Sequence, residues 1–371
     1  MDQTLQTERI SWLRGRLRAL DLDALLVAGS ENRRYLSGFT AKDELLTETS
    51  GYLLITAAEA FLLTDFRYRE WAAAEASGFQ VVVYQASLGA SLAELLTGGG
   101  VRRLGFESAY LSFRQYERLT QAVREAGVEV AWLALDQLVE ESRETKTPGE
   151  VAVIRRALRL TEQVLAEVAQ RLAPGLTERQ VAWEIERRLR EAGAEGLAFP
   201  PIVAAGPNSA RPHHHPGEAL LQAGEPIIID LGARVEGYCA DLTRTFILGE
   251  PTPRFREIYE LVRRAQLRAE TGLRAGLEST AADALGREVI AEAGLGEAFG
   301  HSLGHGVGLA VHEAPSLSPA KDRASVLKAM SVVTVEPGIY LPDWGGVRLE
   351  DMVLLHETHA EVLTEAGFYE W

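Results

Sequence analysis

The chain is poor in cysteine, in excess positive charge and in long apolar runs. Each shortage removes a class of protein. Cys239 is the single cysteine among 371 residues, so no disulfide framework can form within the chain. Lysine and arginine total 38 against 53 aspartates and glutamates, a net charge of -15. Nucleic acid and anionic membranes call for a basic face, and neither is an expected partner. No apolar stretch is long enough to span a bilayer. Met1-Asp2-Gln3-Thr4 is polar and leads into an amphipathic stretch, which does not read as a signal peptide. The expected location is the cytoplasm. There is no repeat at a solenoid period and no low-complexity tract. What remains is ordinary globular composition, 46% apolar and 25% charged. The length suits two or three domains with sizeable cores.

Strand and helix patterns alternate through the first part. Residues 7–20 carry Ile10, Leu13, Leu17 and Leu20 at helical spacing. Strands are expected at 23–28, 52–56, 61–64, 80–84, 103–106 and 128–132, with helices at 65–77, 88–96 and 112–126. This predicts an α/β domain over residues 1–139. A charged stretch, 140–149, ends in Pro148-Gly149 and reads as a linker. The second domain, residues 140–371, opens with helices near 150–172 and 177–192, the latter with Thr177 as N-cap. Two more helices are expected at 253–275 and 280–293. The remainder is strand-rich and broken by glycine.

Two stretches carry paired carboxylates. Ile227-Ile228-Ile229-Asp230 and Tyr238-Cys239-Ala240-Asp241-Leu242-Thr243 read as strands around a turn at Gly237. Asp230 and Asp241 lie at nearly equal distances from that turn, so an antiparallel pairing brings them close to facing positions. Opposed residues have Cβ atoms about 5 Å apart. Two buried carboxylates that close repel each other and are costly to desolvate unless a cation lies between them. Either aspartate alone reads as a turn or edge residue. The downstream sequence changes the balance, because Glu336 and Glu350 flank a second turn-rich segment, 341–346, in the same way.

His305 lies between Gly304 and Gly306, whose small size leaves the imidazole free to point into a site. Four carboxylates and one imidazole make a set for two cations of the Mn, Co, Fe or Zn type, and the lack of thiolates argues against structural zinc. Two such ions about 3.5–4 Å apart can bind a hydroxide between them and polarise a carbonyl. Cys239 and Thr243 share a strand face with Asp241 by period-two alternation. The first reads as a small packed residue, the second as a contact for water at the site. His214 and His215 read as exposed loop residues.

These motifs resemble the pita-bread metallopeptidases, and within them the aminopeptidase P and prolidase (Xaa-Pro dipeptidase) family. The resemblance rests on Asp230-Leu231-Gly232-Ala233, Asp241-Leu242-Thr243-Arg244-Thr245, Gly300-His301-Ser302-Leu303-Gly304-His305-Gly306-Val307-Gly308, Val311-His312-Glu313, Val335-Glu336-Pro337-Gly338-Ile339-Tyr340 and Gly346-Val347-Arg348-Leu349-Glu350-Asp351. The first half adds Tyr35-Leu36-Ser37-Gly38-Phe39-Thr40 and Thr64-Asp65-Phe66-Arg67-Tyr68. It implies a creatinase-like N-terminal α/β domain followed by an α+β pita-bread catalytic domain. It implies two divalent ions, manganese first, held by Asp230, Asp241, His305, Glu336 and Glu350, with Asp241 and Glu350 bridging. Glu336 would also be the general base. His213 and His312 would hold the substrate carbonyl, His301 would line the pocket beyond the scissile bond, and Arg348 would pair with a ligand carboxylate. The implied activity is hydrolysis of Xaa-Pro bonds, by an aminopeptidase or a dipeptidase acting on proline-containing peptides, in a homodimer. The alternatives are a non-catalytic relative and a metal-free creatinase-type hydrolase, both disfavoured by the complete ligand set. The segment 41–50 is longer than the family's short turn. It is expected to reach toward an active site, its own or a partner subunit's, and to limit peptide length.

Overall fold

A computed structural model describes residues 3–43, 45, 47–85 and 87–369. The chain divides into two compact units, residues 1–142 and 143–371.

The first unit runs α1 (Gln3–Ala19), β1 (Ala24–Val27), α2 (Ser30–Ser37), β2 (Tyr52–Thr56), β3 (Ala60–Thr64), α3 (Arg69–Glu75), β4 (Gln80–Val83), α4 (Leu88–Gly98), β5 (Arg103–Glu107), α5 (Phe113–Glu125), β6 (Ala131–Leu135) and the short α6 (Glu140–Arg143), whose last residue, Arg143, begins the second unit. Its sheet has the order β4-β3-β2-β1-β5-β6. The pairs β1/β5, β5/β6 and β3/β4 are parallel, and β1/β2/β3 is an antiparallel meander. Leu26, Leu54, Leu63, Leu92, Leu96 and Leu104 form one core between the sheet and α4 and α5.

One helix joins the expected elements in this unit, and one expected strand shifts. The polar segment 31–37 is the helix α2, closed by Gly38 in the left-handed region at φ 82°. It buries Arg33, which donates to the carbonyls of Ala41 and Gly51 and to Asp43. The strand expected at 128–132 lies at 131–135. In the long segment 41–50, Glu44 and Leu46 lie outside the described residues. Its base is tied down, since Asp43 also accepts from Ser50 N at 2.7 Å.

The second unit opens with α7 (Pro148–Ala169) and α8 (Glu178–Glu191). Pro148-Gly149 is not the end of a linker. Pro148 begins α7, where its missing N–H costs nothing, and Thr147 and Glu150 form a capping box. Thr177 caps α8 in the same way. Strands β7 (Gly196–Leu197), β8 (Ile202–Ala205), β9 (Pro226–Leu231), β10 (Ala233–Val235), β11 (Tyr238–Cys239) and β12 (Leu242–Ile247) follow. Then come α9 (Pro253–Gly272), α10 (Ser279–Glu292), β13 (Gly304–Gly306), β14 (Glu313–Leu317), β15 (Val332–Val335), β16 (Gly338–Leu341), β17 (Gly345–Arg348), β18 (Asp351–Leu355) and β19 (Ala360–Val362). The sheets are β12-β9-β8, β11-β10-β7, β14-β13-β15-β18-β19 and the pair β16-β17. Helices α7 and α8 cover Val203, Ile227, Ile229 and Leu231. Helices α9 and α10 cover Val333, Val335, Val347 and Val353. Among the described residues, no helix is long and apolar enough to cross a membrane.

Candidate metal centre and active site

Strand register decides where the carboxylates stand. In the first hairpin β9 pairs with β12, Thr243 opposite Asp230 and Leu242 opposite Leu231. Beyond a break, β10 pairs with β11, Arg234 opposite Cys239. Both ladders have the same register, which places Asp241 opposite Gly232. The two aspartates, expected close to facing positions, are therefore diagonal neighbours on one face. Such neighbours stand about 7–8 Å apart at Cα, which leaves more room between the carboxylates. Glu236 (φ 45°) and Gly237 (φ 80°) form the two-residue turn. A methyl group on Gly232 would strike the Ala240 carbonyl oxygen.

The second hairpin keeps its expected symmetry. Val335 stands opposite Asp351, and Gly338 opposite Arg348. One register spans both ladders and sets Glu336 directly opposite Glu350. Leu349 N donates to Pro337 O at 3.4 Å across the gap between them.

His305 completes the cluster from β13. Its Nδ1 donates to Gly306 O at 3.1 Å, which directs Nε2 at the carboxylates, 3.2 Å from Glu336 Oε1 and 3.6 Å from Asp241 Oδ2. Ligand atoms of Asp241, His305 and Glu350 lie within 4.8 Å of one another. Thr243 Oγ1 donates to Glu350 Oε2 at 2.7 Å, so its contact is with a carboxylate. Arg348 Nη2 donates to Asp230 Oδ2 at 2.6 Å. The other oxygen, Asp230 Oδ1, is buried and has no hydrogen-bond partner among the described residues.

Electrostatics follow from this crowding. Burial pushes Asp241 well above the usual carboxylate range, and the charges of Glu350, Asp230 and Glu336 add to it. Burial likewise raises Glu350, with Glu336 and Asp230 adding to it. Burial raises Asp230 against the pull of Arg348. At Glu336 the effect of burial is outweighed by the hydrogen bond and charge of His305, which bring it down to about 2. At His305 burial is likewise outweighed by Glu336, and the imidazole is raised. The protein supplies few positive charges to this acidic set. An orphaned Asp230 oxygen, clustered carboxylates and one imidazole nitrogen are the donors that hard and borderline divalent ions take. The residues fit such ions.

The cluster forms the floor of a cavity of about 350 Å³. His213, His301, His312 and Arg348 also line it, with Phe199, Pro200, Pro201, Ile202 and Val311 as apolar wall. All nine sequence-selected site residues thus meet at one cavity. Arg348 does not plug it. Its head group is held by Thr243 Oγ1, Tyr340 Oη and Pro212 O as well as by Asp230. His312 packs edge-on against His305, ring centroids 4.2 Å apart. Burial lowers its pKa, and the charge of His305 lowers it further. Burial lowers His301 too. His301 Nδ1 donates to Ser302 O, so Nε2 accepts from Tyr340 Oη at 2.9 Å.

Two contributors escape a reading of spacing alone. Tyr340 is buried and links Arg348 to His301. Glu178, wholly buried at the start of α8, accepts from Ala205 N, Asn208 Nδ2 and Gly217 N. It also binds His214 at 2.8 Å. His214 is thus anchored and not an exposed loop residue, while His215 is exposed. The adjacent capping signal at Thr177 marked the helix start but gave no hint that the next side chain turns inward.

A mixed α/β unit followed by an α+β unit with a carboxylate–imidazole centre defines a metal-dependent hydrolase class. Comparison places the chain within it. Residues 152–357 match metallopeptidase family M24, and residues 9–145 match the creatinase/prolidase N-terminal domain. The chain belongs to metallopeptidase family M24, in its aminopeptidase P/prolidase group, and has the pita-bread catalytic fold. It is similar to the structure of an Xaa-Pro dipeptidase from Bacillus anthracis (37% identity, TM-score 0.91, 98% of this chain and 99% of that one). It is also similar to that of an X-Pro aminopeptidase from Thermotoga maritima (35%, TM-score 0.84, 95% and 99%). An Xaa-Pro dipeptidase from Pyrococcus furiosus is 34% identical over 93% of this chain and 94% of its own length.

Proposed function

We propose that the chain is a metal-dependent exopeptidase that hydrolyses the Xaa-Pro bond at the N-terminus of peptides or in dipeptides, with residues 140–371 as its catalytic domain. The observation that carries this is the convergence of five ligand side chains on one cavity, with a buried Asp230 oxygen left unpartnered. Asp230, Asp241, His305, Glu336 and Glu350 would hold two divalent ions, manganese being the first to test. Such ions would supply a nucleophile at neutral pH and an electrophile for the scissile carbonyl.

The chain's own groups do the rest. Glu336, ionised through the neutral range, takes the proton of the attacking water as general base. His312 and His213 hold the carbonyl oxygen as charge develops on it. Burial lowers the pKa of His312, so its ring is neutral near pH 7 and donates one hydrogen bond to that oxygen. His301, held through Tyr340, forms the wall for the residue after the scissile bond. The proline ring is assigned to the apolar residues of the lining, among them Phe199, Pro200 and Val311. Specificity for Xaa-Pro is also supported by the names of similar proteins, which include both dipeptidases and an aminopeptidase. A homodimer is part of the proposal and is read by sedimentation.

The test is hydrolysis of Ala-Pro, Ala-Pro-Ala and Met-Ala-Ala by metal-stripped protein and after adding Mn(II) or Co(II). Cleavage of Ala-Pro alone marks a dipeptidase. Cleavage of Ala-Pro-Ala after alanine marks an aminopeptidase. Cleavage of Met-Ala-Ala alone rejects proline specificity, and full activity in strong chelator rejects the metal centre.

A further inference from the structure

Glu313 directly follows His312 and opens β14. Its side chain is 4% exposed, and those of Arg143 and Lys146 beside it are 3% and 1%. Arg143 Nη2 donates to Glu313 Oε2 at 2.5 Å, and Lys146 Nζ donates to Oε1 at 2.7 Å. The attraction of both cations holds the Glu313 carboxyl below its usual range although burial alone would raise it. Desolvating three charged groups is costly, and well-packed apolar residues commonly serve stability as well. The reason for the cluster is better sought in what it touches.

It touches the turn that joins His305 to His312. A methyl group on Gly308 would strike the Glu313 carboxylate, so the backbone there runs directly against it. Ala310 N donates to Glu313 Oε2 at 3.4 Å, and Gly308 N closes the turn onto Ala310 O at 3.0 Å. The turn therefore packs on the carboxylate, and the two cations hold the same two oxygens. His312, at the end of the turn, has its ring against the cavity. The backbone below and the edge-on contact with His305 orient that ring.

We propose that Glu313, clamped by Arg143 and Lys146, is the positioning residue for His312, setting the turn so that the imidazole stands over the cavity. The inference rests on the proposed role of His312 toward the substrate carbonyl. Its test is a double-mutant cycle on the manganese-loaded full chain with the Xaa-Pro peptide that the wild type cleaves. Glu313→Gln is expected to lower kcat about 10–100-fold while KM stays within about threefold, the size seen when a supporting partner of a site residue is lost. Against His312→Ala, the double variant is expected to be no more than about twofold slower. Affinity for Mn(II), titrated calorimetrically, is expected to stay within about threefold of wild type, a readout independent of turnover.

Losses that multiply in the double variant overturn the inference, because Glu313 then acts elsewhere. A drop in Mn(II) affinity beyond about tenfold overturns it too, because the effect then runs through His305. A wild-type rate from His312→Ala overturns it together with the proposed role of His312, whereas the multiplicative result leaves that role standing. If circular dichroism shows that Glu313→Gln does not fold, Lys146→Met, which keeps the Arg143–Glu313 pair, goes through the same cycle, and the same results support or overturn the positioning role.

Discussion

Arg348 holds one oxygen of Asp230 at 2.6 Å and leaves the other buried and bare. The guanidinium is a fixed support for the carboxylate, since Thr243, Tyr340 and Pro212 take three of its other four N–H groups. A planar fork can serve all of these partners, and a lysine ammonium cannot. Arg348→Lys is expected to weaken Mn(II) binding about 10–100-fold with the fold intact. Calorimetric titration beside a circular dichroism spectrum checks this, and unchanged affinity would refute the support role.

Thr243 serves two partners with one hydroxyl, donating to Glu350 at 2.7 Å and accepting from Arg348 Nε at 3.2 Å. Thr243→Val keeps the shape and deletes both bonds. It is expected to cost about 1–3 kcal/mol of stability and about tenfold or more in metal affinity. Thr243→Ser restores the hydroxyl and is expected to recover the affinity. Equal behaviour of the two variants would show that the hydroxyl does not matter.

Gly232 lies opposite Asp241, with no room for a side chain beneath the Ala240 carbonyl. Gly232→Ala forces the strands apart, at about 1–3 kcal/mol for overpacking of this kind. It also shifts Asp241. Thermal unfolding and Mn(II) affinity are both expected to fall. A loss of stability with unchanged affinity would separate packing from ligand placement.

Glu270 gives a stability prediction with a definite sign. Burial and the neighbouring Asp351 carboxyl raise it from 4.5 to about 8. The folded state therefore keeps a proton that the unfolded chain releases near 4.5. This stabilisation is complete below pH 4.5 and is lost as pH rises to about 8. Glu270→Gln, which resembles the protonated acid, is expected to be more stable than wild type at about pH 8–9 and to flatten the pH dependence between about 5 and 8. Denaturant unfolding at about pH 5, 7 and 9 measures it, and parallel curves for the two proteins would rule out the retained proton.

Much of the site was legible along the chain because residue chemistry and spacing are local properties. The symmetry of Glu336 and Glu350 about their turn survives folding, since one register runs through both ladders and sets them face to face. The α/β first unit, Thr177 as a cap and the turn at Gly237 were equally readable from pattern and turn chemistry. The diagonal offset of Asp230 and Asp241 was not. It depends on a two-residue turn whose register differs by a step from the symmetric one, and counting residues does not choose between them. Nor could spacing reveal Tyr340 between Arg348 and His301, Glu178 under His214, or Glu313 held by Arg143 and Lys146. Those partners are 8 to 170 residues apart in sequence. Sequence determined which groups could bind cations, because that is fixed by their chemistry. Only the tertiary structure decided which buried charges hold those groups in place, because the cost of burying a charge must be met by whatever partners the fold brings to it.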